Sequence, residues 1–206
     1  LVSELIIVPV SINGSKPLNF VFDTGAAATV IVESHNTQYL TLKSESQLDI
    51  TGAGESFHSI ANVVPNIDVT LGDVELLDQT IIHLPISSIP FFKDKDSVFF
   101  DGIIGYDFLK RFVIKIDYDN SEITLSEHND FARTETEHDL SWQVLPIAIE
   151  NSMSYISVNA QLNTKQTTPL KLLIDTGFSG TFEIVQPEHE QSLISYYPTR
   201  TQGLNG

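Results

Sequence analysis

One stretch of this chain occurs twice. PLNFVFDTGAAATVIV, from Pro17, and PLKLLIDTGFSGTFEI, from Pro169, align without a gap at a constant offset of 152. Pro17 and Leu18 match Pro169 and Leu170, and the apolar triplet Phe20-Val21-Phe22 matches Leu172-Leu173-Ile174. Asp23-Thr24-Gly25 then matches Asp175-Thr176-Gly177, and Thr29 matches Thr181. The preceding strands correspond as well: VPVSIN at 8–13 resembles VNAQLN at 158–163, which predicts two extra residues in the second turn. A single Asp-Thr-Gly arises by chance in roughly a few per cent of chains this long. Two copies, each behind an apolar triplet and a Pro-Leu pair, are not ordinary turn chemistry. Self-similarity of this kind means that one supersecondary unit is used twice, so two related lobes are expected.

The remaining composition narrows the function by exclusion. Formal net charge is −16, from 27 acids against 11 bases. That sign disfavours phosphate backbones and anionic membranes, so neither nucleic acid nor a membrane is expected as a partner. No apolar run approaches the roughly 20 residues of a membrane-spanning helix. The absence of cysteine excludes disulfides, thiolate catalysis and cysteine zinc sites. His35, His58, His83, His128, His138 and His189 show no metal-ligand spacing, and no metal or organic cofactor is expected.

Strand signals dominate. Residues 5–12 and 18–22 flank Asn13-Gly14, a hairpin turn. Further strands are expected at 60–64, 67–71, 74–77, 79–84, 144–149 and 155–162, with a second hairpin over 113–125 around Asp119-Asn120. A single helix is predicted around 106–111, where Phe108, Leu109 and Phe112 share a face at helical spacing. Residues 129–141 are polar and charged and without periodicity, as in a linker. The expected organisation is a lobe over 1–128, a linker over 129–142 and a second lobe over 143–206.

An apolar triplet followed by Asp-Thr-Gly-Ala resembles the active-site loop of aspartic proteases of the pepsin and retropepsin type. DGIIGYDFLKRFVIKIDY, from Asp101, is similar to the family's second motif: two apolar residues and a glycine (Ile103, Ile104, Gly105), a short helix, then a hairpin. The Gly-x-Asp-x-Leu run from Gly105 to Leu109 is like that of bacterial retropepsin-like aspartyl proteases. The resemblance implies an all-β fold of acid-protease β-barrel lobes with a cleft between them. It also implies an endopeptidase that needs no cofactor, whose partner is a peptide or protein substrate.

By the same resemblance, Asp23 and Asp175 form a dyad that shares one proton and activates a water molecule. Thr24 and Thr176 brace the two loops against each other, while Gly25 and Gly177 let backbone approach the carboxylates. Ile103, Ile104 and Gly105 support the first loop. The glycine-rich tip Thr51-Gly52-Ala53-Gly54 corresponds to a flap that closes over substrate. Many pepsin-like enzymes carry a hydroxyl residue after the motif glycine, where this chain has Ala26 and Phe178. Losing that donor leaves the dyad harder to ionise, so activity is expected at mildly acidic to near-neutral pH.

The second copy is short. Ile103 lies 80 residues after Asp23, and the same step from Asp175 falls at position 255, past Gly206. The expectation is therefore a fragment whose second lobe is incomplete, acting as a two-lobed monomer. Two alternatives stay open: a homodimer that uses only the first lobe, and a relative that binds peptides without cutting them. The missing initiator Met and the family's habit favour export to a periplasm or the cell exterior.

Overall fold

The computed structural model describes residues 5–50, 59–88, 94–95, 98–129, 143–161 and 167–180. The first lobe contains β1 (Ile7–Ile12), β2 (Leu18–Phe22), β3 (Val30–Val32), β4 (Ser46–Ile50), β5 (Ser59–Leu71), β6 (Val74–Leu84) and β7 (Gly102–Ile104). One turn of helix, α1 (Tyr106–Leu109), and the hairpin β8 (Phe112–Asp117) and β9 (Glu122–Glu127) follow. The second lobe shows β10 (Ile147–Glu150), β11 (Met153–Gln161) and β12 (Thr167–Leu173).

Strands β1, β2, β7, β3, β6 and β5 are hydrogen-bonded in that order, and β5 returns to β1. Six strands thus close into a barrel, with β4 paired to the outer part of β5. The all-β reading of the sequence holds. Strand β7 inserts between β2 and β3, parallel to the first and antiparallel to the second. This insertion explains the apolar triplet. Phe20 and Phe22 face one hydrophobic cluster with Val10, Ile31, Val69 and Ile104, while Val21 faces another with Val32, Leu84 and Ile103. All three side chains are at most 4% exposed. A strand covered on both faces reads as a continuous apolar run rather than an alternating one.

Local chemistry accounts for most of the other elements. Asn13 and Gly14 both take positive φ, 50° and 70°, which is the type I′ geometry that joins right-twisted strands. The segments expected at 60–64 and 67–71 fuse into β5 across an irregularity near Asn66, which has φ 57°. Those at 74–77 and 79–84 fuse into β6 across Asp78, with φ 53°. The polar breaks in the sequence are therefore bulges, not turns. Strand β10 begins later than expected, and its hairpin to β11, where Asn151 and Ser152 have φ 50° and 61°, is an addition to the sequence reading. The short strands β3 and β4 are additions too. The helix is shorter than 106–111 but buries Phe108 and Leu109 as expected.

The repeat needs one correction. Val21 pairs with Ile7 and Leu173 pairs with Tyr155, so β1 and β11 correspond at an offset of 148, not 150. Against 152 for the following strands, the second connection is four residues longer rather than two. Both spacings are even, so side-chain faces are preserved and sequence alone does not separate them. The lobes differ in cover. Val21 is 4% exposed, whereas its counterpart Leu173 is 37% exposed. Among the described residues, the three-stranded sheet β10-β11-β12 has no counterpart of β7 beside it. The expected linker lies outside the described residues except for its first position, Asn129.

Asp101 locks β7 into place. Its carboxylate is 3% exposed and accepts hydrogen bonds from the Asn19 amide (2.8 Å), the Ser34 hydroxyl (2.6 Å) and the Asn36 side chain (3.2 Å). Its backbone bridges β2 and β3 through Asn19 and Val32. Replacing Asp101 with Ala leaves the buried Ser34 hydroxyl and the Asn19 amide without this acceptor and is expected to cost about 3 kcal/mol. Urea denaturation measures this, and a loss well under about 1 kcal/mol would show that the network is not what holds β7.

Candidate active site

Each Asp-Thr-Gly loop leaves the end of a hairpin strand. In the first lobe the Phe22 amide donates to Ile6 O, and the Asp23 amide donates to Ile104 O at 3.1 Å. In the second lobe the Ile174 amide donates to Ser154 O at 2.9 Å, the equivalent of the Phe22 bond. Strand β7 thus supports the first loop through Ile104, and the Tyr106 amide holds Ala26 O at 2.8 Å. Gly105 packs directly on the Ala28 backbone, where a side chain has no room.

The two loops then clasp each other. The Thr24 hydroxyl donates to Ile174 O at 2.7 Å, and the Thr176 hydroxyl donates to Phe22 O at 2.7 Å. The Thr24 amide donates to the Thr176 hydroxyl oxygen, and the Thr176 amide to that of Thr24, both at 3.1 Å. Each hydroxyl therefore gives one bond and receives one. The pattern maps onto itself when the lobes are exchanged, as a local twofold axis requires.

This clasp brings the two acids together. A methyl group on Gly25 would stand 2.5 Å from the Asp175 carboxyl carbon, and one on Gly177 would overlap the Asp23 carboxyl. Each glycine is bare because the opposite acid lies over it. The Gly25 amide donates to Asp23 Oδ1 at 2.7 Å, and the Gly177 amide to Asp175 Oδ1 at 2.8 Å. Asp23 receives a further bond from the Ala26 amide at 3.1 Å.

The carboxyls of Asp23 and Asp175 thus lie side by side over each other's glycine, and two like charges so placed disfavour ionisation of both. The Asp23 pKa is pushed up to about 7, first by burial and then by the charge of Asp175 and the hydrogen bond to it. The amides of Gly25 and Ala26 oppose the rise. Neither Ala26 nor Phe178 adds a hydroxyl donor to the pair.

Asp23, Thr24, Gly25, Asp175, Thr176 and Gly177 thus meet in one place, with Ile103, Ile104 and Gly105 directly behind the first loop. The flap candidate Thr51, Gly52, Ala53 and Gly54 lies outside the described residues. Phe100 belongs to the core, while Phe99 stacks edge-on against it and is half exposed. Among the described residues, no three His, Asp or Glu side chains gather as a metal site would require. Three residues around the site escape the sequence reading: Asp101, Thr29 and Asp107. The Thr29 hydroxyl donates to Asp107 Oδ1 at 2.7 Å. The shared Thr29 and Thr181 of the repeat, and the acid within Gly-x-Asp-x-Leu, are the available signals.

Residues 8–108 match the aspartyl protease family model. The aspartyl protease match runs from β1 through α1 and contains Asp23, Thr24, Gly25 and the Ile103-Ile104-Gly105 support. The chain is also similar to the retroviral protease-like domain of Ddi1 from Leishmania major. That likeness has 18% identity and a TM-score of 0.41, and covers 59% of this chain and 87% of that domain. No curated protein matches the chain.

The raised Asp23 pKa has a consequence for stability. Below its ordinary value of 3.8, folded and unfolded chains both hold the proton. As pH rises, the unfolded chain ionises first, so the folded state loses stability progressively until pH passes about 7. Asp23→Asn should flatten this part of the pH–stability curve and raise the melting temperature at pH 8. Thermal melts from pH 4 to 8 test it; an unchanged slope in the variant would place the pH dependence elsewhere.

Proposed function

We propose that this protein is an aspartic endopeptidase whose dyad is Asp23 and Asp175, one from each copy of the repeat. The observation that carries the reading is that the two carboxyls lie over each other's motif glycine, held there by reciprocal threonine bonds. Two carboxyls sharing one proton can act as base and acid in a single step. The ionised member takes a proton from a water molecule lying between them as that water attacks the scissile carbonyl. The protonated member donates a hydrogen bond to the carbonyl oxygen as negative charge develops there. The proton gained from water then passes to the leaving amine, which breaks the C–N bond. Thr24 and Thr176 keep the carboxyl planes in register, and Gly25 and Gly177 admit them to each other.

The substrate is a peptide or protein bound in extended form, with apolar residues at the cut. Activity depends on a singly protonated pair, so the rate should peak at mildly acidic pH and fall as pH rises past about 7. Cleavage of a casein-type substrate from pH 3 to 9, with and without a statine-type inhibitor, measures this. A maximum near pH 2 would contradict the assignment.

One observation favours a second reading. The family match is confined to residues 8–108, so a homodimer of first lobes could supply Asp23 twice. The contact between Asp23 and Asp175 within one chain supports the two-lobed monomer instead. Asp23→Asn and Asp175→Asn should each lower kcat by roughly a thousandfold or more. Full activity in Asp175→Asn would give the site to the homodimer. Inertness of the unmodified chain throughout pH 3–9 would leave a peptide-binding role.

A further inference from the structure

We infer that Asp107 is a positioning residue that aims the first active-site loop, acting through Thr29 rather than by touching substrate. This inference rests on the aspartic-dyad reading for its activity arm and on geometry alone for the rest.

The loop after Gly25 runs Ala26-Ala27-Ala28 and has no polar side chain with which to brace itself. Its shape nevertheless matters, because the Ala26 amide, like that of Gly25, points at Asp23 Oδ1. The bracing must come from outside, and α1 provides it at the far end of the alanines. Thr29 is 2% exposed and closes the loop. Its hydroxyl donates to Asp107 Oδ1 at 2.7 Å, and the same oxygen of Asp107 accepts the Phe108 amide at 2.8 Å.

That second bond ties the carboxylate to the helix backbone, so it does not swing with the loop. The Gly105 amide lies 3.4 Å from the Thr29 hydroxyl oxygen, and the Ile82 amide holds Thr29 O at 3.0 Å. With the Tyr106 amide on Ala26 O, both ends of the alanine run are pinned to the segment that carries Ile104 and Gly105. Removing the Asp107 carboxylate leaves that end to backbone bonds alone, so the loop loosens and the Ala26 amide shifts relative to Asp23.

Three variants test this: Asp107→Ala, Thr29→Val, which keeps the shape of the side chain without its hydroxyl, and Asp107→Asn, whose Oδ1 still accepts both bonds. The activity-independent readout is the carboxyl carbon signal of Asp23, followed by NMR across pH 4 to 9. Losing an amide donor favours the protonated acid, so the Asp23 midpoint should move upward in Asp107→Ala and in Thr29→Val, and stay near wild type in Asp107→Asn. In parallel, the first two variants should lose about 10- to 100-fold in kcat with little change in KM, the size expected for a misplaced reacting group.

Folded Asp107→Ala and Thr29→Val proteins with the wild-type midpoint, or a lower one, would overturn the inference, as would an Asp107→Asn protein that fails like Asp107→Ala. If Asp107→Ala does not fold, Thr29→Val alone decides. If the midpoints move as described while the wild-type chain cleaves nothing, the strut stands and the hydrolase assignment falls.

Discussion

Two carboxyl groups pressed together repel as soon as both ionise, and this structure is arranged around holding them there. Raising one of them from 3.8 to about 7 corresponds to roughly 4 kcal/mol set against its ionised form. The four reciprocal bonds between the Thr24 and Thr176 loops are worth on the order of 1 kcal/mol each. The two quantities are similar in size. Burial is the largest part of that cost and the Asp175 charge the next, so the clasp fixes how the loops meet while their stiffness comes from what lies behind them.

In the first lobe that stiffness comes from the barrel. Strand β2 ends at Phe22 with apolar cover on both faces, and β7 lies alongside it as far as Ile104. A buried carboxylate, Asp101, secures the entry to β7, and a second acid, Asp107, faces the loop from α1. The acids of this lobe thus divide between two tasks. One is held beside another acid, while the others accept side-chain hydroxyls and serve as anchors. Burial alone does not distinguish them; their hydrogen-bond partners do.

How much of this was legible from the residues depends on the range of the interaction. The two Asp-Thr-Gly loops that meet in the structure were readable because the motif is local and occurs twice. The Asn13-Gly14 hairpin was readable because positive φ at both positions favours those residue types. Strands β3 and β4 were not, since three to five residues carry too little periodicity. Asn66 and Asp78 looked like strand breaks because a bulge and a turn use the same residue types. Asp101 and Asp107 looked like ordinary polar residues: their partners lie 65 to 82 and 78 positions away.

By itself, the order of residues determined that a strand-borne acid would appear twice, each time behind apolar residues and ahead of a glycine. It also determined the all-β class, because alternation and turn chemistry act over a few neighbouring positions. Only the tertiary structure decided that the two acids lie over each other's glycine, that β7 passes between β2 and β3, and that Asp107 reaches Thr29. Those outcomes depend on closing the chain over long separations, where the energy lies in the meeting of distant groups and leaves no local trace.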